Sequence, residues 1–445
     1  MRKIIFMIFA IISMASTSIN AITPNKLLSR GLPAYTSHGV NTYITDGDLT
    51  NWKQCTNNDI AIEIGEGASR LFLTWESLGD CAWATNFTSG CTHFGTPLSN
   101  FKVLTSANST NGQDGDWSLA TEVKNNVVMS RGVFVNFEGM SWIRIISDTE
   151  VGQLLEIEAF DASSGADDTW FFMGTSISQM GLKQQSTDTT TADLINARFP
   201  AFTPAMLRGG IGCINSTEVV NHLPDYLEYA GNVKHWAIEM GTNDAWGGGD
   251  WNLETFRRNM QSIIDAAKEH DIEPILARII ATDEKKAGWQ VNRKFLDVID
   301  ELTESNGLRK GPDFFSYFLN HPEQLASDGV HPNEKTLGGQ AMHHLWAEAL
   351  APIYAESEAT EKGETSSAVV KTFPPVIEVI GSDITLSNLH TDVKVEIISS
   401  SGSLENSYTV PQGTQTILSA HIPSGAYVIV VKWEGGMMSR KVIIR

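Results

Sequence analysis

Hydrophobic residues follow three successive patterns along the 445-residue chain. From about Ile22 to Ser163 they fall in short runs separated by turn residues: Asp59–Gly65 (DIAIEIG), Arg70–Ser77 (RLFLTWES), Asn125–Phe137 and Trp142–Ser147 (WIRIIS). Asp46-Gly47 and Asp114-Gly115 are turn dipeptides within this stretch, and no helical periodicity runs through it. The pattern predicts an antiparallel β-sandwich over residues 22–165. Past Asp167, apolar runs alternate with amphipathic ones: TWFFMG before STDTTTADLINARFP, HWAIEMG before NLETFRRNMQSIIDAAKEH, EPILARIIA before WQVNRKFLDVIDELTESNG. This βαβα alternation predicts a parallel sheet with helices on both faces, a three-layer α/β domain over 166–354. The helical run LGGQAMHHLWAEALAPIY closes it. Residues 355–372 are polar and charged, the texture of a linker. The β-rich stretch 373–445 predicts a second, smaller sandwich.

Composition narrows the function classes. The chain is 42% hydrophobic and 19% charged, as folded proteins are, and its length calls for more than one core. A formal net charge of −20 opposes binding to nucleic acid or to an anionic membrane surface. Arg2 and Lys3 precede the apolar run Ile4–Met14, and small and polar residues follow to Ala21. Residues 1–21 therefore read as a secretory signal peptide, too short for a membrane span. The expectation is a secreted or cell-surface protein. Of four cysteines, Cys81 and Cys91 lie close enough in a Gly/Thr-rich stretch for a local bridge in an oxidising compartment. Cys55 has no obvious partner, and Cys213 sits inside a glycine motif. No His/Cys cluster has metal-ligand spacing, so neither metal nor cofactor is expected.

Four short motifs beyond Asp167 carry chemistry. Ser176, in Gly174–Ser178 (GTSIS), follows an apolar strand directly, where a hydroxyl is exposed and backbone N–H donors are at hand. The same position suits an ordinary helix cap. Gly209–Asn215 (GGIGCIN) permits close backbone approach, as any tight loop does. Asn243 ends the strand-to-loop run HWAIEMGTND, and its side-chain amide can donate to an oxyanion or close an Asx turn. Asp328 and His331, three apart in SDGVHPN, can pair as an orienting acid and a base.

Together, in this order, the four motifs resemble those of SGNH/GDSL hydrolases over Asp168 to about Tyr354. The resemblance implies a flavodoxin-like sheet and metal-free ester hydrolysis. It makes Ser176 the nucleophile, His331 the base and Asp328 its orienter. The oxyanion hole would be Asn243 with the backbone N–H groups of Ser176 and Gly212. Two departures stand out: Thr175 replaces the family's acid in Gly-Asp-Ser, and the register could put Cys213 in place of Gly212. No G-x-S-x-G elbow surrounds Ser176, which counts against an α/β-hydrolase.

The flanks carry looser resemblances. ITDGDLTNW, LTW and LEIEAFDASSG resemble a discoidin-like jelly roll, which implies carbohydrate binding; Trp83 and Trp117 are the candidates to stack on sugar. Gly425–Arg445 resembles the C-terminal sorting domain of type IX secretion cargo, which implies recognition by secretion machinery. The expected substrate is a polysaccharide or oligosaccharide ester, deacetylated through an acyl-enzyme. The alternatives are a lipase-like esterase and an inactive carbohydrate-binding protein. Asp244, Trp246 and Gly247–Gly249 are candidate cleft residues. Arg208 could meet an anionic substrate or form a surface ion pair; His321, His343 and His344 lie near the Asp328–His331 motif in sequence, and the two on the final helix read as solvated or half-buried residues.

Overall fold

The computed structural model describes residues 21–48, 59–77, 79, 82–83, 87, 95, 97–147, 154–163, 165–182, 189–333, 337–361, 376–380, 383–387, 392–411, 416–419, 422–433 and 436–444. The expected signal peptide lies outside these residues, apart from Ala21. The chain divides into a unit over 1–358 and a unit over 359–445.

The first unit begins with ten strands, β1 (Lys26–Leu27), β2 (Ala34–Thr36), β3 (Gly39–Asn41), β4 (Asp59–Glu63), β5 (Arg70–Ser77), β6 (Phe101–Ser106), β7 (Ser118–Val123), β8 (Ser130–Asn136), β9 (Trp142–Ser147) and β10 (Leu154–Asp161). They form two antiparallel sheets, ordered β1-β10-β5-β8 and β3-β2-β4-β9-β6-β7. Alternating side chains such as Leu71, Leu73, Val133, Val135, Ile143 and Ile145 fill a shared core between them.

Next come β11 (Thr169–Gly174), α1 (Ser176–Gly181), α2 (Thr191–Arg198), β12 (Ala205–Gly210), α3 (Ser216–Asn221), α4 (Leu223–Ala230), β13 (His235–Glu239), α5 (Leu253–Glu269), β14 (Glu273–Arg278), α6 (Glu284–Ala287), α7 (Arg293–Ser305), β15 (Lys310–Asp313), α8 (Phe314–Asn320) and α9 (Gly338–Glu361). The sheet is parallel throughout, in the order β12-β11-β13-β14-β15. This is the flavodoxin-like order, in which ligands meet the carboxyl ends of the strands where the strand order reverses. Buried runs such as Trp170–Met173 and Trp236–Ile238 explain why these strands read as continuous hydrophobic segments. The last helix extends to Glu361, through the first residues expected to be linker.

Edge strand β12 is braced by the sandwich rather than left open. Arg208 on β12 pairs with Glu76 on β5 and donates its N–H to Ser130 Oγ; Ala82 N–H donates to Gly210 O at 3.0 Å. Trp83, a candidate sugar contact by sequence, is instead 2% exposed, packed against Tyr226 and Tyr229 of α4. Its indole joins the sandwich to the α/β layer and is closed to a ligand. Trp117 is half-buried, its indole N–H donating to Asp114 O. Cys213, just past β12, is disulfide-bonded. The other three cysteines, Cys55, Cys81 and Cys91, all lie in the N-terminal segment and outside the described residues. The expected Cys81–Cys91 pairing also falls outside the described residues.

The second unit holds seven antiparallel strands, β16 (Val376–Ile380), β17 (Asp383–Ser387), β18 (Val393–Ser399), β19 (Leu404–Val410), β20 (Thr416–Ser419), β21 (Gly425–Trp433) and β22 (Gly436–Ile444). Their sheets are β16-β17-β20 and β19-β18-β21-β22, with Val395, Ile397, Ile429 and Val431 in the core.

Candidate active site

Ser176, Asp328 and His331 converge at the carboxyl end of the parallel sheet. Ser176 is the first residue of α1, immediately past β11. Thr175 caps that helix, its Oγ1 accepting from Ile177 N–H at 3.2 Å. Gly174 must lack a side chain, because a Cβ there would stand 2.1 Å from Ser178 Oγ. Ser176 Oγ lies 2.8 Å from His331 Nε2, and His331 Nδ1 lies 2.6 Å from Asp328 Oδ2. With Nδ1–H donating to Asp328 Oδ2, Nε2 is left as the acceptor for the serine hydroxyl.

The Asp328–His331 turn is braced from several sides. Asp328 Oδ1 accepts from Val330 N–H at 2.9 Å and His331 N–H at 3.1 Å. Burial pushes the Asp328 carboxyl up, but the bonds from Val330 and from the ring and N–H of His331 outweigh it and hold it below the usual range. It therefore stays ionised beside the imidazole. Gly329, at φ +72°, carries the reversal; its carbonyl accepts from Asp283 N–H at 2.7 Å, which anchors the turn to the loop after β14. Ala326 N–H donates to His331 O at 2.8 Å.

Asn243 follows β13, and its Nδ2 donates to Ile214 O at 2.7 Å. An amide nitrogen carries two hydrogens, so one remains for a ligand. That bond joins the Asn243 loop to the turn holding Gly212, which is buried, and Cys213, which is exposed at φ +66°. Asn215 caps α3 by accepting from Thr217 and Glu218 N–H. Asp244, buried, accepts from both the N–H and hydroxyl of Ser216, fixing the two loops together. Burial raises its carboxyl above the ordinary range against those bonds. Asp244 thus builds the loop rather than lining a cleft. Trp246 is 50% exposed and packs on Trp289 at 5.0 Å between ring centroids. Arg208 is committed to Glu76, and His343 is buried with Nδ1 accepting from Thr191 N–H.

Glu239, the last residue of β13, was not singled out by the sequence motifs. It is fully buried beneath the Ser176 turn, accepting from Thr175 and Ser178. The available signal was an acid inside the otherwise apolar run HWAIEMG. A cavity of about 480 Å³ between the sandwich and the α/β layer, lined in part by Arg30, Glu76, Glu156, Arg208 and His343, includes no triad residue. Among the described residues, no helix is long and apolar enough to cross a membrane.

No family model and no curated protein matches the chain. Among solved structures it is similar to a lipase/acylhydrolase from Enterococcus faecalis, at 16% identity over 41% of this chain and 95% of that one, TM-score 0.33. It is also similar to an acetylxylan esterase from Geobacillus stearothermophilus, at 18% identity over 42% and 93%, TM-score 0.33. A third, described as a putative lipolytic protein of the G-D-S-L family from Desulfitobacterium hafniense DCB-2, is 14% identical over 41% and 99%, TM-score 0.32. At this distance, what the chain does must be decided from its own residues.

Proposed function

We propose that the protein is a serine ester hydrolase of the SGNH type that removes acetyl groups from a glycan. The observation that carries the reaction class is the pair of contacts, Ser176 Oγ to His331 Nε2 at 2.8 Å and His331 Nδ1 to Asp328 at 2.6 Å. In the first step Ser176 Oγ attacks the ester carbonyl while His331 Nε2 takes the hydroxyl proton. Charge gathers on the former carbonyl oxygen, which Asn243 and the backbone N–H groups of Ser176 and Gly212 would stabilise. The alcohol leaves with the proton from His331. Water then attacks the acyl-serine, again giving its proton to His331; acetate departs and Ser176 recovers its hydrogen.

The glycan has separate support. Trp246 and Trp251 are 50% and 77% exposed just beyond Asn243, offering flat apolar faces of the kind sugar rings pack against. The jelly-roll resemblance of the N-terminal segment points the same way. Export through residues 1–21, and recognition of 373–445 by secretion machinery, belong to this reading on sequence alone. Acetate release from acetylated xylan by wild type and by Ser176→Ala is the test. The variant should retain less than about a thousandth of the activity. Equal release from both would overturn the nucleophile assignment, and release from simple esters but no glycan would overturn the substrate.

A further inference from the structure

Three donors on the Ser176 turn converge on one carboxylate of the adjacent strand. Glu239 Oε2 accepts from Thr175 N–H at 3.3 Å, Thr175 Oγ1 at 3.1 Å and Ser178 Oγ at 3.1 Å. The side chain is 0% exposed, and its second oxygen, Oε1, has no hydrogen-bond partner. A buried carboxylate is unfavourable unless its bonds do something an apolar residue cannot. Here they fix the residues on both sides of Ser176. Having given its hydrogen to Glu239, the Thr175 hydroxyl can only present a lone pair to Ile177 N–H, so its rotor is set. Ser178 is held from below in the same way. Between them Ser176 keeps its own N–H free of the helix, as the first residue of α1 does.

Position 175 matters to this arrangement. A carboxylate at the residue before the nucleophile could cap the turn by itself; a threonine cannot supply that charge and needs an acceptor of its own. Glu239 provides it from β13. Its carboxyl lies up at about 7, raised by burial and held down by the bonds from Thr175 and Ser178, so the group sits where its bonds oppose its desolvation.

We infer that Glu239 is a positioning residue for Ser176, holding the turn that sets Ser176 Oγ against His331. This rests on Ser176 being the nucleophile. Loss of the clamp lets the hydroxyl drift, and a misplacement near 1 Å is worth about 100-fold in rate.

The experiment reads kcat and KM for a small acetate ester, together with the rate at which a serine-directed phosphonate modifies Ser176. Glu239→Leu should lower kcat and the modification rate about 100-fold, with KM changed less than about threefold. Glu239→Gln, which keeps an acceptor oxygen, should stay within about tenfold of wild type. Thr175→Asp alone crowds two buried carboxylates and should be impaired. Thr175→Asp with Glu239→Leu restores one acid to the turn and should recover at least about tenfold of the leucine variant's loss. A folded Glu239→Leu protein within threefold of wild type overturns the inference. So does equal loss in the Gln and Leu variants with no recovery in the double variant. Should Glu239→Leu fail to fold, a Gln variant impaired 100-fold, or a folded double variant without activity, is equally decisive. A wild type that the phosphonate does not modify sinks the nucleophile reading itself, and this inference with it.

Discussion

At the amino end of the central sheet, Asp168 accepts hydrogen bonds from Trp170 Nε1 and Tyr354 OH at 2.9 and 2.7 Å, and His235 stacks on Trp170 at 4.1 Å. At the carboxyl end, Asp328 pairs with His331, and their side chains are 49% and 23% exposed. Both ends thus hold an aspartate, a histidine and their partners, but in different surroundings. Burial raises Asp168 to about 7 and lowers His235 to about 3, so near neutral pH the histidine is uncharged and the aspartate close to it. The rim keeps Asp328 ionised and next to its imidazole. A base can work only where it can gain and lose a proton near the ambient pH. Which pair can do chemistry is therefore set by solvent access and by the orienting bond, more than by residue type.

The sharpest way to break this comparison is to make one substitution at both ends. Asp328→Asn should lower kcat about 10³–10⁴-fold, because the amide no longer holds the His331 tautomer that accepts from Ser176. Its melting temperature should barely move, since the amide keeps the oxygen that accepts from Val330 and His331 N–H. Asp168→Asn should leave kcat per folded molecule unchanged and lower stability by about 1 kcal/mol, as the amide oxygen serves Trp170 and Tyr354 less well than the acid. A large kcat loss at Asp168 would mean that the amino end is coupled to the chemistry.

Stability against pH gives a second contrast. Asp168 is raised from 3.8 to about 7, so between those values the folded state holds a proton that the unfolded chain has released. Its contribution to stability falls as pH rises through that window, by about 1.4 kcal/mol per unit. His235 is lowered from 6.5 to about 3, so there the unfolded chain holds the extra proton and stability rises with pH. From about pH 4 to 6.5 the two slopes oppose each other. Relative to wild type, His235→Phe should be more favoured at pH 4.5 than at 6.5, and Asp168→Asn the reverse. Urea unfolding at the two pH values reads both; parallel shifts would show that burial does not neutralise this pair.

Much of this was legible in the sequence, and the parts that were not have physical causes. β11, β13 and β14 read as apolar runs because both their faces are covered, and α5 and α7 as amphipathic stretches. β12 did not, since AMLRGG is an edge strand whose Arg208 is satisfied by Glu76 of a distant strand. β15, KGPD, is a short edge strand with a glycine and a proline, residues that normally signal a turn. In the site, Ser176 opens α1 just past a strand, and Asn243, Asp328 and His331 stand on loops past a strand or before the last helix, where chemistry-bearing residues are conspicuous. Glu239 was hidden because its role depends on what the next strand delivers above it. The Cys213 bridge was hidden because spacing along the chain favours near neighbours.

Tryptophans extend the contrast between the two ends. Trp170 is fully buried, its indole N–H bound to Asp168 and its face covered by His235. Trp246 is half exposed, backed by Trp289 and held by a turn in which Gly247 and Gly248 take φ of +79° and +76°. Trp289 belongs to the loop after β14, whose Asp283 N–H donates to Gly329 O in the Asp328–His331 turn. The exposed indole is therefore mounted on the same framework as His331. If it packs against a sugar ring, Trp246→Ala should lower kcat/KM for an acetylated oligosaccharide about threefold to tenfold, the worth of one aromatic contact. A small aryl acetate, too short to reach it, should be hydrolysed as before. Equal losses on both substrates would make Trp246 a brace for the catalytic loop, as Trp170 is for the amino end, and the two ends would then differ in their acids and histidines alone.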